Sequence, residues 1–299
     1  MCSVDVRDLD AVLADLAADP HVEYAQLDHA MELDQVAAPP GPVSFANTIP
    51  DDPFLSSSGS WGQPYADLWG LTAIRATEAW STARGEGAVV AVVDTGLDAG
   101  HPDMAANVWV NPGEDLDANG RADASDRNGL DDDGNGYIDD LTGFDFASSI
   151  DANEDGDFDD PGDVSDPDPS DDSGHGTHVA GTIAAVADNG IGIAGVAPGA
   201  RLMALKGFPA SGSASDSVLW RAVLYAAENG AAVVNNSWSC GSPCPSNPLA
   251  EEVLALVEAL GTVVVTSAGN DGADVAFTSP ENGPIAIVVG AIGADLSLP

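Results

Sequence analysis

The run Ala88-Val-Val-Ala-Val-Val93 constrains this chain most. It is apolar at every position and lacks the alternation of a strand that shows one face to water. It therefore predicts a strand buried on both faces, the situation of parallel sheets covered by helices. Similar runs recur at Leu202-Met-Ala-Leu205, Ala231-Ala-Val-Val234, Thr262-Val-Val-Val-Thr266 and Ile285-Ala-Ile-Val-Val289. Helical stretches are expected between them, over 176–187, 215–229 and 249–260. Strand and helix in alternation predict an α/β fold, a parallel sheet with helices on both faces. Residues 111–172, rich in Asp, Asn and Gly, interrupt this order and read as a long loop insertion.

The first 40 residues have a different character. Leu9, Val12, Leu13 and Leu16 fall on one helical face, and Asp19-Pro20 stops that helix. His21-Val-Glu-Tyr-Ala-Gln-Leu-Asp28 then alternates like a strand, and Pro39-Pro-Gly-Pro42 reads as a linker. This helix–strand piece is too short to fold alone. The remainder, 41–299, is long enough for one large domain.

The charge balance excludes some partners. Eight Lys and Arg stand against 49 Asp and Glu, a net charge of −41. Nucleic acid and anionic membrane surfaces repel such a chain, and cations are its natural partners. The acids are also concentrated, with 22 of them between residues 114 and 172. A concentrated block suits metal loops, and an even coat suits a salt-adapted surface; both descriptions fit this chain. Lys206 is the only lysine.

Three cysteines make no disulfide framework. Cys240 and Cys244 either pair locally or remain free thiols, and Cys2 lies far from both. No run approaches the ~20 apolar residues of a membrane span. Met1-Cys-Ser-Val-Asp-Val-Arg7 lacks the basic start and apolar centre of a signal peptide, so either the protein is intracellular or a leader is missing.

Three short motifs follow successive apolar runs. Asp94-Thr-Gly-Leu97 comes directly after the first, and sites in open α/β sheets form at the carboxyl ends of strands. His175-Gly-Thr-His-Val-Ala-Gly-Thr182 comes next, with Ser173-Gly174 as the expected helix cap and hinge. A helix N-terminus disfavours an imidazolium, so a histidine there needs a carboxylate to stabilise its protonated form. Gly176 and Gly181 are expected to leave room for close backbone approach, and His178 competes with His175 for the same role. Ser267-Ala-Gly-Asn-Asp271 is third, and the Asn270 amide is suited to donate to a developing oxyanion. Each motif alone is also an ordinary turn or cap. Together and in this order they point to a hydrolase with a general base, an orienting carboxylate and an oxyanion donor.

These segments resemble the subtilisin-like (S8) serine peptidases over roughly residues 60–299. The resemblance implies Asp94 as the orienting carboxylate, His175 as general base with His178 structural, and Asn270 as oxyanion donor. Asn235-Asn-Ser-Trp238 resembles the strand that lines the specificity pocket, so Ser237, Trp238 and Ser239 fall on a substrate wall. Ser267, Ala268 and Gly269 fall on its partner, and Ser211-Gly212-Ser213 resembles the opposing edge strand. A polypeptide substrate then lies extended between them. Residues 9–28 resemble the end of an inhibitory propeptide, which acts as inhibitor and folding aid, and Asp52-Pro-Phe54 resembles the start of a mature enzyme. Ser239 stands where relatives usually have glycine. No Gly-Thr-Ser-Met-Ala segment follows, and Ser237, Ser239 and Ser267 match wall or strand positions. The resemblance thus implies a secreted serine endopeptidase zymogen whose serine lies beyond Pro299, and an inert chain as it stands.

The acidic insertion carries loop patterns of its own. Calcium loops alternate oxygen ligands, place Gly at position six and close with a carboxylate near position twelve. Asp115, Asp117, Asn119, Asp123 and Asp126 fit, around Gly120. So do Asp131, Asp133, Asn135 and Asp139, and likewise Asp151, Asn153, Asp155 and Asp159, with Asp163 just past the closing position. Charges this dense need neutralising for the loop to order, so structural calcium is the expected cofactor. A separate calcium site at Asp103 and Asn189 is implied by the resemblance. The rival class is a non-catalytic calcium-binding or peptide-binding module of the same fold. Ending just after an apolar strand, the chain is expected to expose apolar surface.

Overall fold

The computed structural model describes residues 49–150, 164, 166–239, 248–270, 274–275 and 285–296. The expectations for residues 9–28, for Cys240 and Cys244, and for Asp151, Asn153, Asp155, Asp159 and Asp163 lie outside the described residues.

Among the described residues, six parallel strands form one sheet. They are β1 Val89–Asp94, β2 Gly143–Asp145, β3 Arg201–Lys206, β4 Val233–Asn236, β5 Val263–Ser267 and β6 Ile287–Val289, in the order β2-β3-β1-β4-β5-β6. The strand order turns at β1, which lies between β3 and β4. Asp94 pairs in register with Lys206, and Val93 with Asn236. The carboxyl end of β1 is therefore the switch point of the sheet, where open α/β sheets place their ligands.

In β1 and β3 the unbroken apolar runs have the expected cause; β4 and β5 instead alternate between buried and more open positions, and β6 lies open, so burial on both faces is confined to the middle of the sheet. Among the described residues, three short helices, α1 Pro53–Ser56, α2 Trp69–Ala73 and α3 Ala76–Ala79, precede the sheet; α4 His175–Ala184, α5 Asp216–Glu228 and α6 Pro248–Ala259 cover it. Ala91, Val93, Met203 and Leu205 share a core with Leu219, Trp220 and Val223 of α5 and Val253, Leu254 and Val257 of α6. Val90, Val92, Leu202 and Ala204, one residue out of phase, pack on Ala180 and Ala184 of α4. Side chains alternate across a strand, and here both directions lead into packed apolar side chains.

The insertion is not all loop. β2 lies within it and extends the sheet beside β3. Gly143 there has a φ of 120°, and a Cβ on it would stand 1.8 Å from the Ala204 carbonyl oxygen. Three residues opening on glycine give too weak a pattern to mark a strand in advance. Beneath the acidic loops, Tyr137 meets Phe144, Phe146 and Tyr225 edge-on at centroid distances of 4.9, 5.7 and 4.8 Å. The base of the insertion is thus part of the main core. At the far edge of the sheet, Ile287 and Val289 of β6 are half-exposed.

Candidate active site

Asp94 ends β1 and His175 opens α4. The His175 Nδ1 atom lies 2.6 Å from Asp94 Oδ1, and that oxygen also accepts the Thr95 N–H at 2.7 Å. Asp94 is buried; the His175 side chain is 55% exposed, so one end of the pair is solvent-shielded and the other faces outward. His178 is exposed as well, and it is the His175 ring that meets Asp94.

The close approach depends on Gly176. A Cβ there would meet the Gly96 carbonyl oxygen at 2.2 Å and Asp94 Cβ at 3.1 Å. Gly181 has no such role, since a Cβ there would touch Met104 Sδ at an ordinary 3.6 Å.

The helix start is held differently from the sequence expectation. Gly174, left-handed at φ 94°, is the N-cap, and Ser173 supplies no capping side chain. The capping carboxylate is Asp171. Its Oδ1 accepts the N–H groups of Ser173 and Gly174 and the Thr95 hydroxyl; its Oδ2 accepts the Thr177 N–H and hydroxyl. Burial pushes Asp171 up, but the Thr177 hydroxyl and the three N–H groups outweigh it and bring the carboxyl down to about 2. The Gly176 N–H donates to the Thr95 hydroxyl at 2.9 Å, which links the helix to the strand end. Lys206 is buried at the end of β3. It donates to the Ser170 carbonyl at 3.0 Å and pairs with Asp172 at 3.0 Å, holding the segment that carries Asp171. Asp171 and Lys206 escaped the sequence reading. Their signals were an acidic pair before a helix start and a lone lysine ending an apolar run.

A cleft of about 300 Å³ opens beside this pair, lined by Asp94, Thr95, Ser173, His175, Phe208, Gly212, Ser237 and Trp238. Trp238 meets Trp220 of α5 edge-on at 5.6 Å, so the wall rests on the core. The two wall segments leave neighbouring strands, because Asn236 pairs in register with Thr266. Ser237-Trp238-Ser239 follows β4; Ala268-Gly269-Asn270 follows Ser267 at the end of β5. Ser239 Oγ would lie 3.5 Å from a Cβ on Gly269. Asn270 is exposed in the bend after β5 and is not among the residues lining the cleft. Ser211-Gly212-Ser213 forms a turn rather than a strand; Gly212 donates its N–H to the Pro209 carbonyl at 2.8 Å and takes φ 73°.

Among the described residues of the insertion, two groups of carboxylates converge. Asp115, Asp117 and Asp126 bring one oxygen each within 4.8 Å of one another, and so do Glu114, Asp133 and Asp140. The first group is drawn from the expected loop. Asp123 instead accepts from Ser125 and Asn119, and the Asn119 amide is turned to it. The second group departs from the expected set. Asp139 faces away and accepts the N–H groups of Asn128 and Gly129, while Asp131 accepts those of Gly134, Asn135 and Gly136. The Asn135 amide donates to Asp133 and Asp140. Glu114 and Asp140, outside the loop pattern, take the ligand-like positions. Burial, reinforced by Asp140 and Asp133, pushes the Glu114 carboxyl up to about 7. Burial also raises Asp140 to about 6 against the bonds from Tyr225, Asn135 and Asn111. Three carboxyls this close cannot all ionise without a countercharge, and these residues suit a hard cation. Elsewhere, Asp103 accepts the Asn189 amide at 2.8 Å and the Ile193 N–H at 2.9 Å, with buried Asp52 beside them on the N–H groups of Asp188 and Asn189.

The chain is similar to known proteins. The profile of the subtilase family, peptidase S8, matches residues 85–297. An extracellular protease of Xanthomonas campestris pv. campestris is 31% identical over 302 residues, covering 97% of this chain and 44% of that protein. Thermitase of Thermoactinomyces vulgaris is 31% identical over 75% of this chain and 58% of its own length. Among solved structures, a protease from Pseudoalteromonas arctica superposes with a TM-score of 0.54 at 29% identity, covering 83% of this chain and 67% of that one. The chain thus spans between two fifths and three fifths of the length of these two curated relatives.

Proposed function

The chain belongs to the subtilase family, and from that membership we propose that it is part of a secreted serine endopeptidase that cleaves polypeptides through an acyl-enzyme. The observation that carries this reading is the 2.6 Å contact between His175 Nδ1 and buried Asp94, at the mouth of a cleft on the switch point of the sheet. With Nδ1 bonded to Asp94, Nε2 is the nitrogen that takes the proton of an attacking serine hydroxyl and later gives it to the leaving amine. Asp94 fixes the tautomer and stabilises the imidazolium. Asn270 donates to the oxyanion once substrate fills the gap between the walls, and Ser237–Ser239, Ser267–Gly269 and Ser211–Ser213 border the extended substrate.

The nucleophilic serine belongs to a part of the protein outside these 299 residues, a reading supported by relatives of which this chain spans 44% and 58%. Residues 1–40 act as the end of an inhibitory propeptide, and 41–299 as the peptidase domain with its insertion at 111–172. The extracellular location rests on the relatives' names, among them an extracellular protease and an extracellular basic protease. Calcium orders the insertion, with Asp115, Asp117 and Asp126 as its first ligand set, and a further ion sits at Asp103 and Asn189.

Sequencing the source locus past the codon for Pro299, then treating its product with a fluorophosphonate probe, tests the catalytic reading. An in-frame Gly-Thr-Ser-Met-Ala-like segment and labelling that depends on His175 are expected. A stop codon at that point, with peptide binding but no labelling, overturns it in favour of a binding module.

A further inference from the structure

Glu114 and Asp115 are consecutive, yet their carboxylates serve different groups. Glu114 converges with Asp133 and Asp140; Asp115 converges with Asp117 and Asp126. Both residues leave the same turn, in which the N–H groups of Glu114 and Asp115 donate to the Asn111 carbonyl at 3.2 and 3.1 Å. Each group also contains a fully buried carboxylate with an unpartnered oxygen, Glu114 Oε2 in one and Asp126 Oδ1 in the other. A buried carboxylate oxygen without a donor is costly, and a cation satisfies it where no N–H or O–H is placed to do so. The donors are all oxygens on irregular backbone, with no thiolate or imidazole, which selects a hard divalent ion of flexible coordination.

We propose that these residues form a coupled pair of calcium sites, one at Asp115, Asp117 and Asp126 and a second at Glu114, Asp133 and Asp140, with the Glu114-Asp115 dipeptide making each site's occupancy favour the other's. This rests on the calcium reading of the insertion and adds the second ligand set and the coupling. Filling the first site fixes the backbone of Asp115, and with it the place of Glu114; a second ion then spends less ordering entropy. The second site is tied into the fold at three points. The Asp132 N–H donates to Glu114 Oε1 at 2.8 Å, the Asn111 amide donates to both Asp133 and Asp140, and the Tyr225 hydroxyl of α5 donates to Asp140.

Equilibrium dialysis of the chelator-stripped full chain against calcium alone tests this. The wild type is expected to bind with a Hill slope above one. Glu114→Gln and Asp126→Asn are each expected to bind one ion fewer, and to hold the partner site's ion at least tenfold more weakly. Unchanged stoichiometry in Glu114→Gln removes the second site. Loss of one ion with the other unaffected overturns the coupling. No calcium bound by the wild type overturns the calcium reading itself. Should either variant fail to fold, terbium(III) titrated into the wild type provides the second measurement. Tyr225 touches a ligand of the second site, so aromatic-sensitised emission should rise sigmoidally and be quenched by calcium; a hyperbolic rise, or no emission, refutes the pair.

Discussion

Gly176 and Gly96 touch backbone to backbone: a Cβ on Gly176 would stand 2.2 Å from the Gly96 carbonyl oxygen. That contact lets the start of α4 descend onto the end of β1 and puts His175 against Asp94. Gly176→Ala is therefore expected to displace the helix start. Overpacking of this kind costs about 1–3 kcal/mol, and a 1 Å misplacement of a catalytic group costs about a hundredfold in rate. Thermal melts and peptide hydrolysis by the complete enzyme check both; a variant equal to wild type in each would show that the backbone yields without moving His175.

Asp94→Asn tests the proposed catalytic pair directly. An amide in place of the carboxylate selects the wrong imidazole tautomer and no longer stabilises the imidazolium. In serine proteases used as reference cases this lowers kcat by about 10⁴-fold, and a loss of that order with little change in KM is expected for the complete enzyme. A drop of less than tenfold would remove Asp94 from the machinery.

Asp171 is expected to tie stability to acid pH. Its folded value of about 2 lies below its ordinary 3.8, so its contribution is present above about pH 4 and is lost as pH falls through about 2. Asp171→Ala removes the acceptor for three N–H groups and two hydroxyls, and loss of a helix cap costs about 1 kcal/mol. Denaturant melts of wild type and variant should differ at pH 7 and converge towards pH 2. A gap that persists at pH 2 would mean packing, not the ionised carboxylate, holds the helix start.

Chelation should loosen the insertion. An ion held at a hundred times its Kd stabilises the folded state by about 2.7 kcal/mol. Removing calcium is thus expected to lower Tm and to open residues 111–172 to added protease, with recovery on calcium but not on sodium at equal ionic strength. Equal Tm and equal cleavage with and without chelator would count against structural calcium there.

Tyr225→Phe removes the hydroxyl that donates to buried Asp140 while keeping the ring in the aromatic cluster. A hydrogen bond to a charged acceptor contributes about 1.5–3 kcal/mol. The variant should lose stability of that order, read by denaturant melts, and leave the His175–Asp94 pair intact. No change would place Asp140 in contact with solvent or another donor.

Much of the molecule is determined by local pattern. The runs at 88–93 and 202–205 specify buried strands because no polar residue interrupts them, and the helices between strands follow from 3.6-residue periodicity. The Asp-turn and the His-Gly helix start specify a carboxylate and an imidazole at strand and helix ends. Tertiary structure decided what depends on groups distant in sequence meeting. His175 meets Asp94 where Gly176, lacking a Cβ, lets the start of α4 reach the Gly96 carbonyl beyond the end of β1. Asp171, not Ser173, caps α4 because Lys206, from another strand, holds its segment in place. Gly143-Phe-Asp145 is a strand because β3 offers it an edge. Glu114 and Asp140 enter a carboxylate cluster, and Asp139 leaves it, because burial and the Tyr225 hydroxyl set their directions, and loop spacing carries no record of either.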